Sequence, residues 1–219
     1  MRFDLIVFDL DGTLIDSVTD LTSAINHALR QCGYPLRTEQ DVRAAIGDGA
    51  RKLVERSLPP RADVEIVFER FRRAYLEVAL THTRPFDGVD ALLDALQGPV
   101  ALATNKPEAP TRVILAGLGW QDRFVEVVAG DTLPFHKPDG RVLEHLARAT
   151  GVSCARIAMI GDAPQDVLTA RAVGATAIGV TWGTRDRAVL EAAGAALVVD
   201  TIHELREALG LAPHADGAT

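Results

Sequence analysis

The stretch ARIAMIGDAPQDVLTARAVGATAIGV, residues 155–180, decides the fold class. Two nearly charge-free apolar runs, ARIAMIGD (155–162) and ATAIGV (175–180), enclose a segment with Pro164 at its start and Gly174 at its end. Proline suits a first helical turn and glycine a left-handed helix terminus, so the spacing predicts a helix over 164–173 between two buried strands. A strand, a helix and a second strand form a crossover that sets the strands parallel. Working outward, FDLIVF (3–8), VALAT (100–104), VEVVAG (125–130) and AALVVD (195–200) are further runs of the same kind. Helical patterns lie between them, one beginning at Pro107 and one carrying Val142, Leu143, Leu146 and Ala147 on a single stripe. The expected fold is α/β, a Rossmann-like three-layer core with a parallel sheet covered on both faces.

Residues 16–83 break this rhythm. Val18, Leu21, Ala24, Ile25, Ala28 and Leu29 form a helical stripe ended by Gly33 and Pro35, and Val64, Val67, Phe68, Phe71, Tyr75 and Val78 form another. Thr38 with Asp41 resembles a capping box in which aspartate takes the usual glutamate's place. The expected organisation is a core of residues 1–15 and 84–219, with 16–83 inserted after the first strand as a small α-helical cap. The tail APHADGAT is expected to fray.

Composition narrows the class. A net charge of −7 without a long basic run argues against nucleic acid as a partner. Acidic residues interrupt the first apolar stretch, so it lacks the architecture of a signal peptide, and no window approaches the ~18 apolar residues of a membrane span. Cys32 and Cys154 match no metal-ligand spacing and read as free thiols, Cys154 as a small core residue. The expected setting is cytoplasmic, with no membrane partner. Trp120 and Trp182 read as packing residues or lid neighbours, and the scattered histidines as structural.

Four polar clusters fall where strands should end: Asp9-Leu10-Asp11-Gly12-Thr13, Thr104-Asn105-Lys106, His136-Lys137-Pro138, and Gly161-Asp162 with Asp166 four residues on. Each alone has a structural reading, as a turn, a helix cap or a solvated neighbour. Ligands of parallel α/β sheets gather beyond the carboxyl ends of the strands, so together the clusters bring carboxylates and lysine to one place. Converging carboxylates repel unless a cation joins them, and hard oxygen donors suit Mg²⁺. Mg²⁺ with lysine, hydroxyl and amide donors is what a phosphoryl group requires.

The ordered motifs FDLDGTLIDS, TNK, KP and GDAPQD resemble those of the haloacid dehalogenase superfamily of phosphatases, over residues 3–209. The stretches AAIGDGARKLVERSL (44–58) and VVAGDTLPFHKPDG (127–140) are similar to phosphoglycolate phosphatases in particular. Ala163 stands where a serine is common, and Asp139-Gly140 where a second proline is frequent. The resemblance implies that Asp9 is the nucleophile forming an aspartyl-phosphate and that Asp11 is the general acid and base. It implies Mg²⁺ ligation by Asp9, Asp162 and the Asp11 backbone carbonyl, with Asp166 and Thr13 acting one shell further out. Thr104, Asn105, Gly12 and Lys137 would hold the phosphoryl group.

Lys106 stays open between pocket rim and solvated helix start. Gly49, Arg51 and Lys52, at a glycine-punctuated helix start, are candidates to read a substrate carboxylate, with Arg43 as the alternative. The competing reading leaves Arg51 and Lys52 solvated beside a loop capped by Asp48. The expected partner is a small phosphorylated metabolite, and the assembly a monomer or homodimer. 2-Phosphoglycolate leads, ahead of sugar phosphates, nucleotides and pyrophosphate. A phosphosugar mutase and a non-catalytic phosphate-binding module are the remaining readings.

Overall fold

The computed structural model describes residues 3–211; the tail expected to fray lies outside them. The chain begins with β1 (Leu5–Phe8) and β2 (Ile15–Asp16), followed by α1 (Val18–Gln31), α2 (Glu39–Ala45), α3 (Ala50–Ser57) and α4 (Val64–Val78). After β3 (Arg84–Pro85) come α5 (Val89–Ala95), β4 (Val100–Ala103), α6 (Glu108–Gly117), β5 (Glu126–Val128) and α7 (Arg141–Thr150). The chain closes with β6 (Ile157–Gly161), α8 (Pro164–Ala172), β7 (Thr176–Val180), α9 (Arg187–Ala193), β8 (Leu197–Val199) and α10 (Ile202–Ala208).

Six strands form one parallel sheet in the order β5-β4-β1-β6-β7-β8. The fold is the expected α/β three-layer core. Along β1 the side chains alternate: Leu5 and Val7 pack with Val142 and Leu146 of α7 and Val167 of α8, whereas Ile6 and Phe8 join a cluster with Leu92 of α5 and Ile114 of α6. All four β1 side chains are at most 2% exposed. At ~1.5–3 kcal/mol for each fully buried large apolar side chain, the strand is anchored from both faces. The loop that leaves β1 therefore starts from a rigid base.

Several element ends differ from the sequence expectation for visible reasons. Strand β5 stops at Val128 because the Ala129 N–H donates to the Thr132 hydroxyl (3.0 Å) and the Gly130 N–H to the Lys106 carbonyl (2.8 Å). Strand β6 starts at Ile157 because Cys154–Arg156 form a 3₁₀ turn. Helix α6 starts one residue after Pro107, whose ψ of 153° is extended, and the Asp131 carboxylate accepts the Glu108 N–H at 2.7 Å. Cys32 and Cys154 are free thiols, both half-buried, so Cys154 is not the core residue that its small size and apolar neighbours suggest.

Helices α1–α4 fill the stretch between β2 and β3, which pair antiparallel at the two ends of that stretch. The α1 stripe is buried, together with Val67, Phe71 and Tyr75 of α4. Thr38 and Asp41 form a reciprocal capping box at α2, with bonds of 2.9 and 3.2 Å. The fully buried Asp20 carboxylate accepts the N–H groups of His82 (3.0 Å) and Thr83 (2.8 Å) and the Thr83 hydroxyl (2.7 Å). That clasp fixes where the returning chain meets α1. No helix among the described residues is long and apolar enough to cross a membrane.

Candidate active site

Asp9 follows β1 directly and stays tied to the sheet, its N–H donating to the Ile160 carbonyl at 2.9 Å. A tight loop then closes, with the Leu10 carbonyl accepting the N–H groups of Leu14 (2.9 Å) and Ile15 (3.1 Å). In extended backbone, residues two apart share a side; Asp9 and Asp11 accordingly line one cavity. Gly12 makes the turn possible at φ +83°, and a Cβ there would stand 2.3 Å from Asp162 Oδ2. Across the sheet, a Cβ on Gly161 would stand 2.1 Å from the Asp166 carboxyl carbon. Bare backbone is what lets both carboxylates approach.

Asp9, Asp162 and Asp166 each present a carboxylate oxygen within 4.8 Å of the others. The Lys137 ammonium lies 2.8 Å from Asp9 Oδ1 and 2.6 Å from Asp166 Oδ1. Burial pushes Lys137 down, but Asp166 and Asp9 outweigh it and hold the lysine above its ordinary range. Burial and the Asp9 charge push Asp162 up to about 6, against hydrogen bonds from the Thr184 hydroxyl (2.6 Å) and N–H (2.7 Å). Burial likewise pushes Asp166 up to about 7 against the pull of Lys137. One lysine leaves three buried carboxylates under-neutralised, so the cluster fits a hard divalent cation. Thr13 braces this group: its hydroxyl donates to Asp162 Oδ1 at 3.4 Å, and its carbonyl accepts the Trp182 indole N–H at 3.1 Å.

Lys106 is not a solvated helix start: of the two alternatives the structure gives the pocket, whose wall it lines. It is 6% exposed, its ammonium lies 2.9 Å from both Asp11 oxygens, and it stands 4.6 Å from the Tyr75 ring centroid. Burial opposes its charge, but Asp11 outweighs that and holds the lysine above its ordinary range. The Ser17 hydroxyl also donates to Asp11, at 2.5 Å.

Thr104 lines the cavity, with its hydroxyl oxygen accepting the Lys106 N–H at 3.2 Å. The Asn105 side-chain N–H groups are committed to the carbonyls of Gly47 (2.9 Å) and Lys137 (3.0 Å). These donors brace the loops on either side of Asn105.

The cavity, about 90 Å³, is small beside the ~300–1,000 Å³ of ordinary ligand clefts. From the inserted helices it is lined by Gly49, Phe71, Arg72 and Tyr75, among others. Arg51 and Lys52 are not among its lining residues. Half-exposed on α3, Arg51 pairs with Glu65 and Lys52 with Glu55 (2.7 Å), which is the solvated alternative. Arg43 also turns elsewhere, to the Gly183 carbonyl (3.3 Å) and Asp16 (3.5 Å). Of the proposed carboxylate readers only Gly49 reaches the cavity; Arg72, Tyr75, Ser17 and Thr184 carried no local signal.

A parallel sheet with a cavity over its carboxyl ends and buried charges beneath it has the layout of an α/β enzyme. Residues 6–180 match the haloacid dehalogenase-like hydrolase family model. The sequence is 38% identical to a phosphoglycolate phosphatase of Chromobacterium violaceum over 210 residues, covering 91% of this chain and 93% of that protein. It is 36% identical to a phosphoglycolate phosphatase of Agrobacterium fabrum, covering 85% of this chain and 84% of that one. The crystal structure of a predicted phosphoglycolate phosphatase from Haemophilus somnus superposes with a TM-score of 0.89 at 27% identity, covering 95% of this chain and 99% of the other. The chain belongs to the haloacid dehalogenase-like hydrolase family, and within it to the phosphatases.

Proposed function

We propose that this phosphatase is a Mg²⁺-dependent phosphomonoester hydrolase whose substrate is 2-phosphoglycolate. Asp9 attacks phosphorus and the ester P–O bond breaks, leaving an aspartyl-phosphate. Asp11 gives its proton to the departing alkoxide, then takes one from the water that hydrolyses the intermediate. Lys137, with Thr104, holds the phosphoryl oxygens as charge grows on them, while the Gly12 N–H closes the loop on the Ile15 carbonyl at 2.9 Å. Asp9, Asp162 and the Asp11 carbonyl would hold Mg²⁺, which would supply electrostatic stabilisation of that charge. Asp166 positions Lys137, Thr13 positions Asp162, and Asn105 positions the Gly47 and Lys137 loops. Residues 16–83 act as a cap over a core of residues 1–15 and 84–219, closing the cavity on a small substrate.

The observation that carries this reading is the buried group of Asp9, Asp162, Asp166 and Lys137, opening through Asp9 and Asp11 into a cavity of about 90 Å³. A pure phosphate binder has no use for a second carboxylate beside the first. The relatives named for phosphoglycolate support the substrate. The test is phosphate release from 2-phosphoglycolate, sugar phosphates, nucleotides and pyrophosphate, each with and without EDTA. Fastest release from phosphoglycolate, abolished by EDTA, is expected. Chelator-insensitive release rules out the metal assignment, and isomer conversion without release points to a mutase.

A further inference from the structure

We propose that Lys106 and Tyr75 form the subsite that receives the carboxylate of a short, acidic phosphomonoester; this deepens the phosphatase reading and rests on it. Both residues line the cavity that Asp9 and Asp11 line. Lys106 spends two ammonium N–H donors on Asp11, at 2.9 Å each, and among the described residues no carboxylate or carbonyl takes the third. The Tyr75 hydroxyl is buried beside the Lys106 ammonium and has no acceptor for its own proton. A phenol buried beside a lysine and left without an acceptor is a donor awaiting one. A carboxylate, with two oxygens, satisfies both groups at once.

The order of contacts supplies the spacing. Asp9 is followed two residues on by Asp11, Asp11 touches Lys106, and Lys106 stands over the Tyr75 ring. A molecule laid along that line has its phosphoryl group at Asp9, its bridging ester oxygen near Asp11 and its acid group at Lys106 and Tyr75. A cavity of about 90 Å³ has room for only a short connector, such as one methylene, between ester oxygen and carboxyl carbon. Arg72 lines the same cavity, but it is half-exposed and paired with Glu69 at 2.8 Å. A charge in water is a weaker reader than one buried at the end of the cavity.

The test is calorimetric binding, with Mg²⁺ present, of 3-phosphonopropionate and of propylphosphonate, which lacks the carboxylate. Wild type is expected to prefer the carboxyphosphonate by at least tenfold. Tyr75→Phe is expected to shrink that ratio about fivefold, and Lys106→Gln to abolish it. The ratio cancels any general damage to the phosphate site. An unchanged ratio in Tyr75→Phe, or no preference in the wild type, overturns the subsite while phosphomonoester hydrolysis stands. If the wild type binds neither phosphonate and cleaves no phosphomonoester, the phosphatase reading fails and the subsite with it.

Discussion

Replacing Lys137 with methionine is expected to abolish turnover and, at the same time, to strengthen the response to Mg²⁺. The side chain is 2% exposed and its ammonium contacts Asp9 at 2.8 Å and Asp166 at 2.6 Å. Breaking a buried ion pair from one side costs ~3–5 kcal/mol, which for a domain of this size lowers the metal-free Tm by about 10 °C. Loss of a cation that stabilises phosphoryl charge lowers kcat on phosphoglycolate by ~10²–10³-fold. The metal responds in the opposite direction. A unit charge at ~4 Å and an effective dielectric near 20 is worth ~4 kcal/mol. Deleting the positive one leaves three carboxylates uncompensated, and proton uptake by Asp162 and Asp166 offsets part of the gain. Mg²⁺ should therefore bind roughly tenfold more tightly, at ~1.4 kcal/mol per decade, and raise Tm more in the variant than in the wild type. Thermal melts across a Mg²⁺ titration, paired with steady-state phosphate release, read both quantities. A variant whose Tm responds less to Mg²⁺ than wild type, or that keeps a tenth of wild-type kcat, refutes the electrostatic account of this cluster.

Protons should compete with Mg²⁺ in the wild type. The folded-state values of Asp162 (about 6) and Asp166 (about 7) lie above the usual 3.8. The folded state therefore binds more protons than the unfolded one between pH 4 and 7, so these two groups favour the metal-free fold more as pH falls through that window. The Mg²⁺-induced rise in Tm should shrink from pH 8 to pH 6; a rise that grows instead contradicts the assignment. Asp11→Asn should cost ~10²–10⁴-fold with an alkyl phosphate and much less with 4-nitrophenyl phosphate, whose leaving group needs no proton; equal losses on both esters remove Asp11 from the acid role. Asp20→Ala should destabilise the fold by ~3 kcal/mol in urea melts, because it strands the buried donors of Thr83 and the His82 N–H; a loss below ~1 kcal/mol would mean that water replaces the carboxylate.

The sheet and the position of Asp9, Asp11, Asp162 and Lys137 were legible because the signal is local. Each of these residues follows an apolar run or a loop that a short window exposes, and parallel topology carries all such ends to the same edge. The partner of Lys106 was not legible, because its ion pair with Asp11 spans 95 residues and exists only because β4 and β1 are neighbours in the strand order. Thr184 and its carboxylate partner Asp162 are closer, 22 residues apart, yet nothing in TWGTRD marks the turn that brings them together. Arg51 and Lys52 are a different case, since the sequence holds the information in its helical phase. A glycine-rich approach to a helix start favours an anion through backbone N–H groups, and it says nothing about where the side chains go. Helix α3 buries Leu53 and Val54. At ~100° per residue, Arg51 stands ~110° and Lys52 ~150° from the midpoint of Leu53 and Val54, so both lie off the buried face. The cavity therefore receives Gly49 and Leu53 from this segment and takes its cations from α4 and from the residue after Asn105. Helical phase outranks proximity in sequence when a side chain, and not a backbone amide, has to reach the ligand.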